Sequence, residues 1–559
     1  MPKPKRPYRF WRRLARVLAA FIGLIVLLFL YLVWVSQVNP PDVQDKKSLS
    51  WQRQQPDSGL YTIGNSWLRH SSSGLYEMYV EGAPFERGVV NGKLSKELVQ
   101  SQEDYFTAQI NKMIPSHFYR QFLKYFIGFF NRKLVKNVIP EYKEEIYGVS
   151  QSASANYGYI GTPYQRILNY HSAHDIGHAL QNLALVGCTS FGTWGSASAD
   201  STMIIGRNFD FYVGDDFARN KIVEFVNPSA GFKFMSVTWG GFVGVVSGMN
   251  EKGLTVTINA AKSDLPTGSA TPVSLVAREI LQYAGNIQQA VEVARRRKMF
   301  VSESFLVGSA ADNKAVIIEK TPDSLEVYDP GRNSILCTNH FQSKGLGASS
   351  MNRQQERESA SVYRYHRLTE LLSGNGPNTV AKTVSILRDQ KGIGGTDIGT
   401  GNEKAVNQLI AHHSIVFEPQ KLLVWVSTSP WQLGSYVAYD LKKVFSLAGM
   451  KKNQEISEAI LTIPADSFMQ TAQFKNFERF RVLKQRVMDG QTVNPDSLVI
   501  LNPSYYHAYI LAGDYLYKQK NYQRALNYYQ QALTKEIATV PEKKHAEDRI
   551  EACKKRLAK

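Results

Sequence analysis

Apolar positions along this chain change their spacing several times, and each change marks a different kind of structure. Val17–Val35 (VLAAFIGLIVLLFLYLVWV) is 19 residues without a charge, long enough to cross a hydrocarbon core as a helix. Tyr31 and Trp34 sit near its far end, where amphipathic rings favour the membrane interface. Asn39-Pro40-Pro41 stops the helix, and the polar, turn-rich stretch 41–75 reads as a tether. From Tyr76 to about Gly187 apolar residues recur at three- and four-residue spacing, as in Lys93–Ile110 and Phe118–Val138, which predicts helices.

After Cys188 the texture becomes that of strands. Short β-branched and aromatic runs are bounded by Gly, Asn and Asp: Thr202–Ile205, Phe232–Thr238, Phe242–Val246, Leu254–Asn259, Ser304–Val307, Ala315–Glu319, Ser334–Thr338, Ser414–Phe417 and Leu422–Ser427. One helix is predicted from Thr271-Pro272 to about Arg297, a cap followed by proline in the first turn, and another near Ser361–Leu372. Runs of strands interrupted by helices predict a layered α+β domain over 76–445, not a doubly wound sheet. The stretch 446–559 is helical again. Within it Tyr509–Leu533 places Ala512, Gly513, Ala525 and Ala532 where two antiparallel helices would cross, a spacing like one tetratricopeptide unit. A single unit cannot bury its own face, so it is expected to pack on Gln473–Met488, on the C-terminal helix, or on a protein partner.

Charge changes the picture only at the N-terminus. The net charge of +18 invites a nucleic-acid reading, but seven cations (Lys3, Lys5, Arg6, Arg9, Arg12, Arg13, Arg16) fall in the first 16 residues and no later Lys/Arg block follows. That cluster beside an apolar span predicts a single-pass cell-membrane anchor with a cytoplasmic N-terminus and an outer, extracytoplasmic body. The span exceeds a signal-peptide core, and no small-x-small cleavage site follows it. Three cysteines, Cys188, Cys337 and Cys553, cannot make a disulfide framework. Nothing calls for a cofactor, a metal or nucleic acid.

The chemistry concentrates in Gly187–Phe211. A cysteine follows a glycine, and a strand beginning some fifteen residues later delivers Arg207 and Asp210. A thiol needs a base, and no histidine lies close after it. Cutting the Gly187–Cys188 bond would free an α-amine of pKa about 7.7–8.0, able to take the thiol proton. Arg207 would favour the thiolate and Asp210 would orient the amine or thiol. Gly187, lacking Cβ, tolerates the backbone that self-attack at its carbonyl requires. Cys188 then reads as an N-terminal nucleophile made by self-cleavage.

Cys188-Thr-Ser-Phe, Gly206-Arg-Asn-Phe-Asp210, Gly248-Met-Asn-Glu-Lys-Gly-Leu254 and Thr338-Asn-His-Phe341 together resemble the acyl-coenzyme A:6-aminopenicillanic acid acyltransferase family, relatives of the choloylglycine hydrolases among cysteine N-terminal nucleophile (Ntn) hydrolases. The likeness covers roughly Tyr76–Phe445. It implies a four-layer αββα sandwich and hydrolysis or transfer of acyl groups at linear, non-peptide amide C–N bonds of a small acylated substrate. It also implies that Cys188 is the nucleophile and that Arg207 and Asp210 support it. Asn250, on a hairpin turn, and Asn339, past a strand end, are implied as oxyanion or site-shaping residues. Related enzymes add a late arginine, but the stretch Ala411–Phe417 supplies none.

Two other readings stand beside this one: a phospholipase B-like lipid acylhydrolase using the same thiol, and a non-catalytic membrane scaffold that binds a partner through the helical appendage. His171, His174, Asp175 and His178 fall on one helix face, as metal-binding pairs do. Gly177 weakens that helix and no water-activating Glu accompanies it. Asp175 and His178 are instead candidates for assisting self-cleavage or shaping the pocket.

Overall fold

The computed structural model describes residues 8–114, 116–173, 175, 187–212, 214–264, 266, 268–374 and 376–559. Among them the strands form two sheets. In chain order the strands are β1 (Gln54–Asp57), β2 (Leu60–Ile63), β3 (Ser66–His70), β4 (Tyr76–Gly82), β5 (Thr189–Gly195), β6 (Ser201–Phe209), β7 (Ile222–Pro228), β8 (Phe234–Thr238), β9 (Ser247–Asn250), β10 (Leu254–Ala260), β11 (Glu303–Ser309), β12 (Lys314–Lys320), β13 (Leu325–Tyr328), β14 (Ser334–Cys337), β15 (His413–Glu418), β16 (Leu423–Ser427) and β17 (Tyr436–Asp440). The larger sheet runs in the order β1-β2-β3-β4-β7-β8-β9-β10-β11-β12-β13 and the smaller β14-β5-β6-β15-β16-β17. Neighbours are antiparallel except for β4 (Tyr76–Gly82) and β7 (Ile222–Pro228), which pair in parallel. The body is therefore a mixed α/β fold with a C-terminal helical region.

Period-two alternation explains how the layers stack, because successive side chains leave a strand on opposite faces. In β6 (Ser201–Phe209), Met203 and Ile205 join a core with Phe225, Met235 and Leu306 of the large sheet, while Ile204 points the other way. The two sheets thus share one apolar interior, so close that a side chain on Gly308 of β11 (Glu303–Ser309) would overlap Ile205. The far face of the large sheet, with Val256, Ile258, Phe305 and Val307, is covered by the helix Val273–Tyr283. Beyond the small sheet, Phe191, Ile204 and Val416 pack on helices Ser361–Ser373 and Val380–Leu387.

Several expectations need correction. Residues 41–75 are not simply a tether: β1 (Gln54–Asp57), β2 (Leu60–Ile63) and β3 (Ser66–His70) extend the large sheet. Their short, polar, turn-broken sequences hide a strand pattern. The run Phe242–Val246 forms no strand; it is a buried loop whose glycines admit close neighbours, Gly240 against Leu98 and Gly244 against Ser274. The predicted long helix splits into Val273–Tyr283 and Ile287–Arg296, the second capped by Asn286, whose side chain accepts from Gln289 N–H. Tyr76 opens a strand, not a helix.

At the N-terminus, residues Trp11–Ser36 form a helix long and apolar enough to cross a membrane, with mean hydropathy 2.8. Its end meets the body through Phe29 against Tyr125 (5.1 Å between rings) and through Ser36, whose carbonyl accepts from Gln165 Nε2 at 2.6 Å. The C-terminal helices Ala472–Met488, Tyr506–Lys518, Tyr522–Ala532 and Val540–Leu557 do not stand apart. Phe474, Phe477, Phe480, Tyr505 and Tyr506 share a core with Leu409 and Leu433 of the body. The segment before them, including Ser457 and Ile463, bridges to Tyr439 and Tyr436 and so belongs to the edge of the small sheet.

Candidate active site

Cys188 immediately precedes β5 (Thr189–Gly195), an inner strand of the small sheet. Register then assembles the site. β5 pairs antiparallel with β6 so that Ser190 faces Arg207, and Gly187 N–H continues the ladder by donating to the Asp210 carbonyl at 3.0 Å. Residues 188, 190 and 207 share the face turned toward the large sheet. Arg207 Nη2 lies 3.6 Å from Cys188 Sγ. The rest of that guanidinium is fixed by the large sheet: it donates to the carbonyls of Val246 (2.8 Å) and Ile258 and to Ser247 Oγ. A second layer begins at Ser247, which also meets His413 Nε2 at 2.8 Å.

Burial dominates the electrostatics. Cys188 is 1% exposed, and desolvation pushes its thiol up to about 11 against the pull of Arg207. Asp210 is fully buried, and among the described residues neither carboxylate oxygen has a hydrogen-bond partner. Burial raises it to about 7, although the charges of Arg364 and Arg207 oppose the rise. A group poised there exchanges its proton near neutrality, as an acid–base residue must.

An arginine does reach the site, from upstream of Ala411–Phe417. Arg364, on the Ser361–Ser373 helix, reaches the Gly187 carbonyl, the Cys188 carbonyl (3.1 Å) and Thr189 Oγ1 (3.2 Å) through Nη1. Its Nη2 donates to Asn339 Oδ1 at 2.8 Å, while Asn339 Nδ2 donates to the Ala260 carbonyl at 2.9 Å. Asn339 thus holds Arg364 against the end of β10 (Leu254–Ala260). Gln408 Nε2 also donates to the Gly187 carbonyl, at 2.6 Å. Gly187 is glycine for want of space and not for an unusual φ: a Cβ there would overlap the Gln408 carboxamide.

Asn250 is not brought to Cys188. Its amide donates to the carbonyls of Leu281 and Ala284 at 2.8 Å each, and its Oδ1 accepts from Lys252 and Leu254 N–H. It brackets a hairpin to the end of the Val273–Tyr283 helix. The asparagine that meets the site lies on the next strand, β10: Asn259 accepts from Ser190 Oγ (2.5 Å) and donates to the Cys337 carbonyl (3.1 Å). The polar alternation Thr255, Thr257, Asn259 was its signal.

His174 and His178 lie outside the described residues. His171 is structural: Nδ1 meets the Ile167 carbonyl at 2.8 Å, Nε2 accepts from Val243 N–H at 3.0 Å, and burial depresses it to about 4. Asp175 Oδ2 accepts from Val273 N–H at 3.0 Å, at the start of a helix. All three cysteines are free and buried.

Fold and site together define a mixed α/β protein with a thiol held by arginine between two sheets. Residues 197–428 match the model of the family described as acyl-coenzyme A:6-aminopenicillanic acid acyl-transferase, which bears out the resemblance drawn from the four motifs. The match takes in Arg207, Asp210, Asn259, Asn339, Arg364 and Gln408 and begins just after Cys188. An uncharacterized protein of Archaeoglobus fulgidus is 26% identical over 279 residues, 47% of this chain and 46% of that protein. Protein dcd1B of Dictyostelium discoideum is 22% identical over 289 residues, 48% of this chain and 54% of that one. The chain spans about half the length of these curated relatives. Among solved structures, a Caenorhabditis elegans ortholog of N-acylethanolamine-hydrolyzing acid amidase aligns with a TM-score of 0.31 and 18% identity, covering 42% of this chain and 93% of that one. A mutant conjugated bile acid hydrolase of Clostridium perfringens aligns at 0.32 and 12%, covering 46% and 93%.

Proposed function

We propose that this protein is a cysteine Ntn hydrolase, an αββα sandwich that cuts its own Gly187–Cys188 bond and then breaks linear amide C–N bonds. The acyl group passes to water or to an amine. The observation that carries the reading is Cys188 at the head of β5 with Arg207 Nη2 at 3.6 Å. The family match supports amide hydrolysis or acyl transfer as the reaction class.

Before the cut no α-amine exists, and a thiol raised to about 11 stays protonated at neutral pH. Asp210, near 7 and without a hydrogen-bond partner among the described residues, is the group suited to take its proton. After the cut the new amine of Cys188 takes over as base. Asp210 gains a cationic neighbour whenever that amine is protonated. Arg207 stabilises the thiolate in both stages. The charged N-terminus and the apolar helix support an anchor with its body on the outer side.

Intact-mass analysis and N-terminal sequencing of the purified full-length chain, beside Cys188→Ala, test the proposal. The expected result is a new N-terminus at Cys188 in the wild type and an uncut variant. A wild-type chain that stays whole overturns the self-cleavage. Thiol-dependent turnover of N-acyl amides, compared with phospholipid esters, then tests the reaction class.

A further inference from the structure

The self-cleavage just proposed must stabilise negative charge at one atom, the Gly187 carbonyl oxygen. Attack by Cys188 Sγ on that carbonyl closes a five-membered ring and turns its oxygen into an oxyanion. Two buried donors already converge on this oxygen: Arg364 Nη1, and Gln408 Nε2 at 2.6 Å. We propose that Gln408 is a catalytic residue of the processing step, completing with Arg364 the oxyanion hole that drives the cut.

The step balances without any added reagent but water. The thiol loses its proton, the S–C bond forms, and the tetrahedral oxyanion collapses by expelling the Cys188 nitrogen, which takes up that proton as an amine. The resulting thioester between Gly187 and Cys188 is split by water, giving a Gly187 carboxylate and a restored thiol. The charge on the Gly187 oxygen exists only in the transition state and the tetrahedral species. Donors aimed there in advance lower the barrier with no reorganisation.

Gln408 is built to stay in place. It is 3% exposed, and both flanking residues are pinned. Asn407 Oδ1 accepts from Leu409 N–H at 3.0 Å, and Asn407 N–H donates to the Asp389 carbonyl at 2.8 Å. Leu409 sits in the left-handed region (φ 55°) and is buried with the C-terminal helices. A strained, buried leucine next to a donor is the kind of local cost found at functional positions. The absence of a side chain at Gly187 keeps the carboxamide within reach of the scissile carbonyl.

This inference rests on the self-cleavage reading, and the test separates the two. Full-length wild type, Gln408→Met, Gly187→Ala and the pair Gly187→Ala/Gln408→Ala are followed by mass spectrometry after release from denaturant, with Cys188→Ala versions for melting temperature. If wild type is never cut, the self-cleavage reading falls. If wild type is cut, Gln408→Met is expected to slow the cut by about 10²–10³-fold, the usual loss on removing one oxyanion donor. Added hydroxylamine should not rescue it, because the missing donor delays thioester formation and not its breakdown. In the paired variant the smaller side chain makes room for the new methyl, so the melting temperature recovers relative to Gly187→Ala while cleavage stays slow. Cleavage of Gln408→Met at the wild-type rate, or restored cleavage in the paired variant, would show that Gln408 only fills space and overturns the proposal.

Discussion

Arg207 approaches Cys188 from within the small sheet, but its guanidinium is fixed by the large one, through the carbonyls of Val246 and Ile258. The charge beside the thiol is therefore set by how the two sheets pack. Arg207→Met is expected to strip the Ile258 carbonyl of its arginine donor, at roughly 1–3 kcal/mol, and to leave the Val246 carbonyl with the Ile258 N–H alone. It should also remove the Arg207 Nη2 contact with the thiol, 3.6 Å away, so that cysteine alkylation of the cleaved protein slows and its pH midpoint moves up. Arg207→Lys keeps charge without the fork and should lie between. Alkylation rate against pH, with urea denaturation in parallel, checks both.

Asp210 makes a pH prediction of definite sign. Its carboxyl is near 3.8 when solvated and is raised to about 7 by burial. The proton is held more tightly in the folded state, so the stability this group contributes is complete below pH 3.8 and is lost as pH climbs through 7. In the uncut Cys188→Ala background, Asp210→Asn should gain stability relative to its parent between pH 4 and pH 8. The gap should reach roughly 1–4 kcal/mol, since a tenfold step in proton affinity corresponds to about 1.4 kcal/mol. Self-cleavage of the wild type should rise as pH approaches 7, where Asp210 ionises, and Asp210→Asn should abolish that rise. Melting curves and cleavage time courses at each pH provide the measurement.

Two asparagines on neighbouring strands should separate cleanly. Asn250→Ala strips two carbonyls and two N–H groups of partners and is expected to cost about 2–4 kcal/mol of stability. Turnover per folded, cleaved molecule should change little. Asn259→Ala loosens Ser190 and the Cys337 carbonyl beside the thiol and should lower kcat. Denaturation midpoints and active-site-titrated kinetics distinguish the two.

The C-terminal helices should matter to processing because Leu409, next to Gln408, is part of their core. Phe480→Ala is expected to cost about 3–5 kcal/mol and to slow the cut. A cleavage time course beside urea denaturation of the Cys188→Ala form would show both.

Much of the site was legible because its centre is local. Cys188, Arg207 and Asp210 come from two adjacent strands of one antiparallel pair, so sequence spacing and register carry the same information. Arg364 and Gln408 come from a helix and a loop far along the chain, and only tertiary packing brings them to the Gly187 carbonyl. Asn250 misled because a hairpin-turn asparagine is equally suited to bracing a turn and to serving an oxyanion. Among the elements, β10 to β12 were readable from clean apolar runs, whereas β1 (QQPD) shows neither alternation nor β-branching. That strand exists because β2 offers it an edge.

The parallel pairing of β4 with β7 spans the proposed cut site in sequence, matching Tyr76 with Ile222 through to Gly82 with Pro228. In the uncut chain these strands find each other as parts of one molecule. With residue 187 severed from 188, as proposed, the same sheet would be shared by two polypeptides, and a denatured sample would face a two-body search whose success depends on concentration. The mature protein would then keep its shape by slow unfolding, not by ready refolding. Its architecture would be inherited from a covalent precursor that no longer exists.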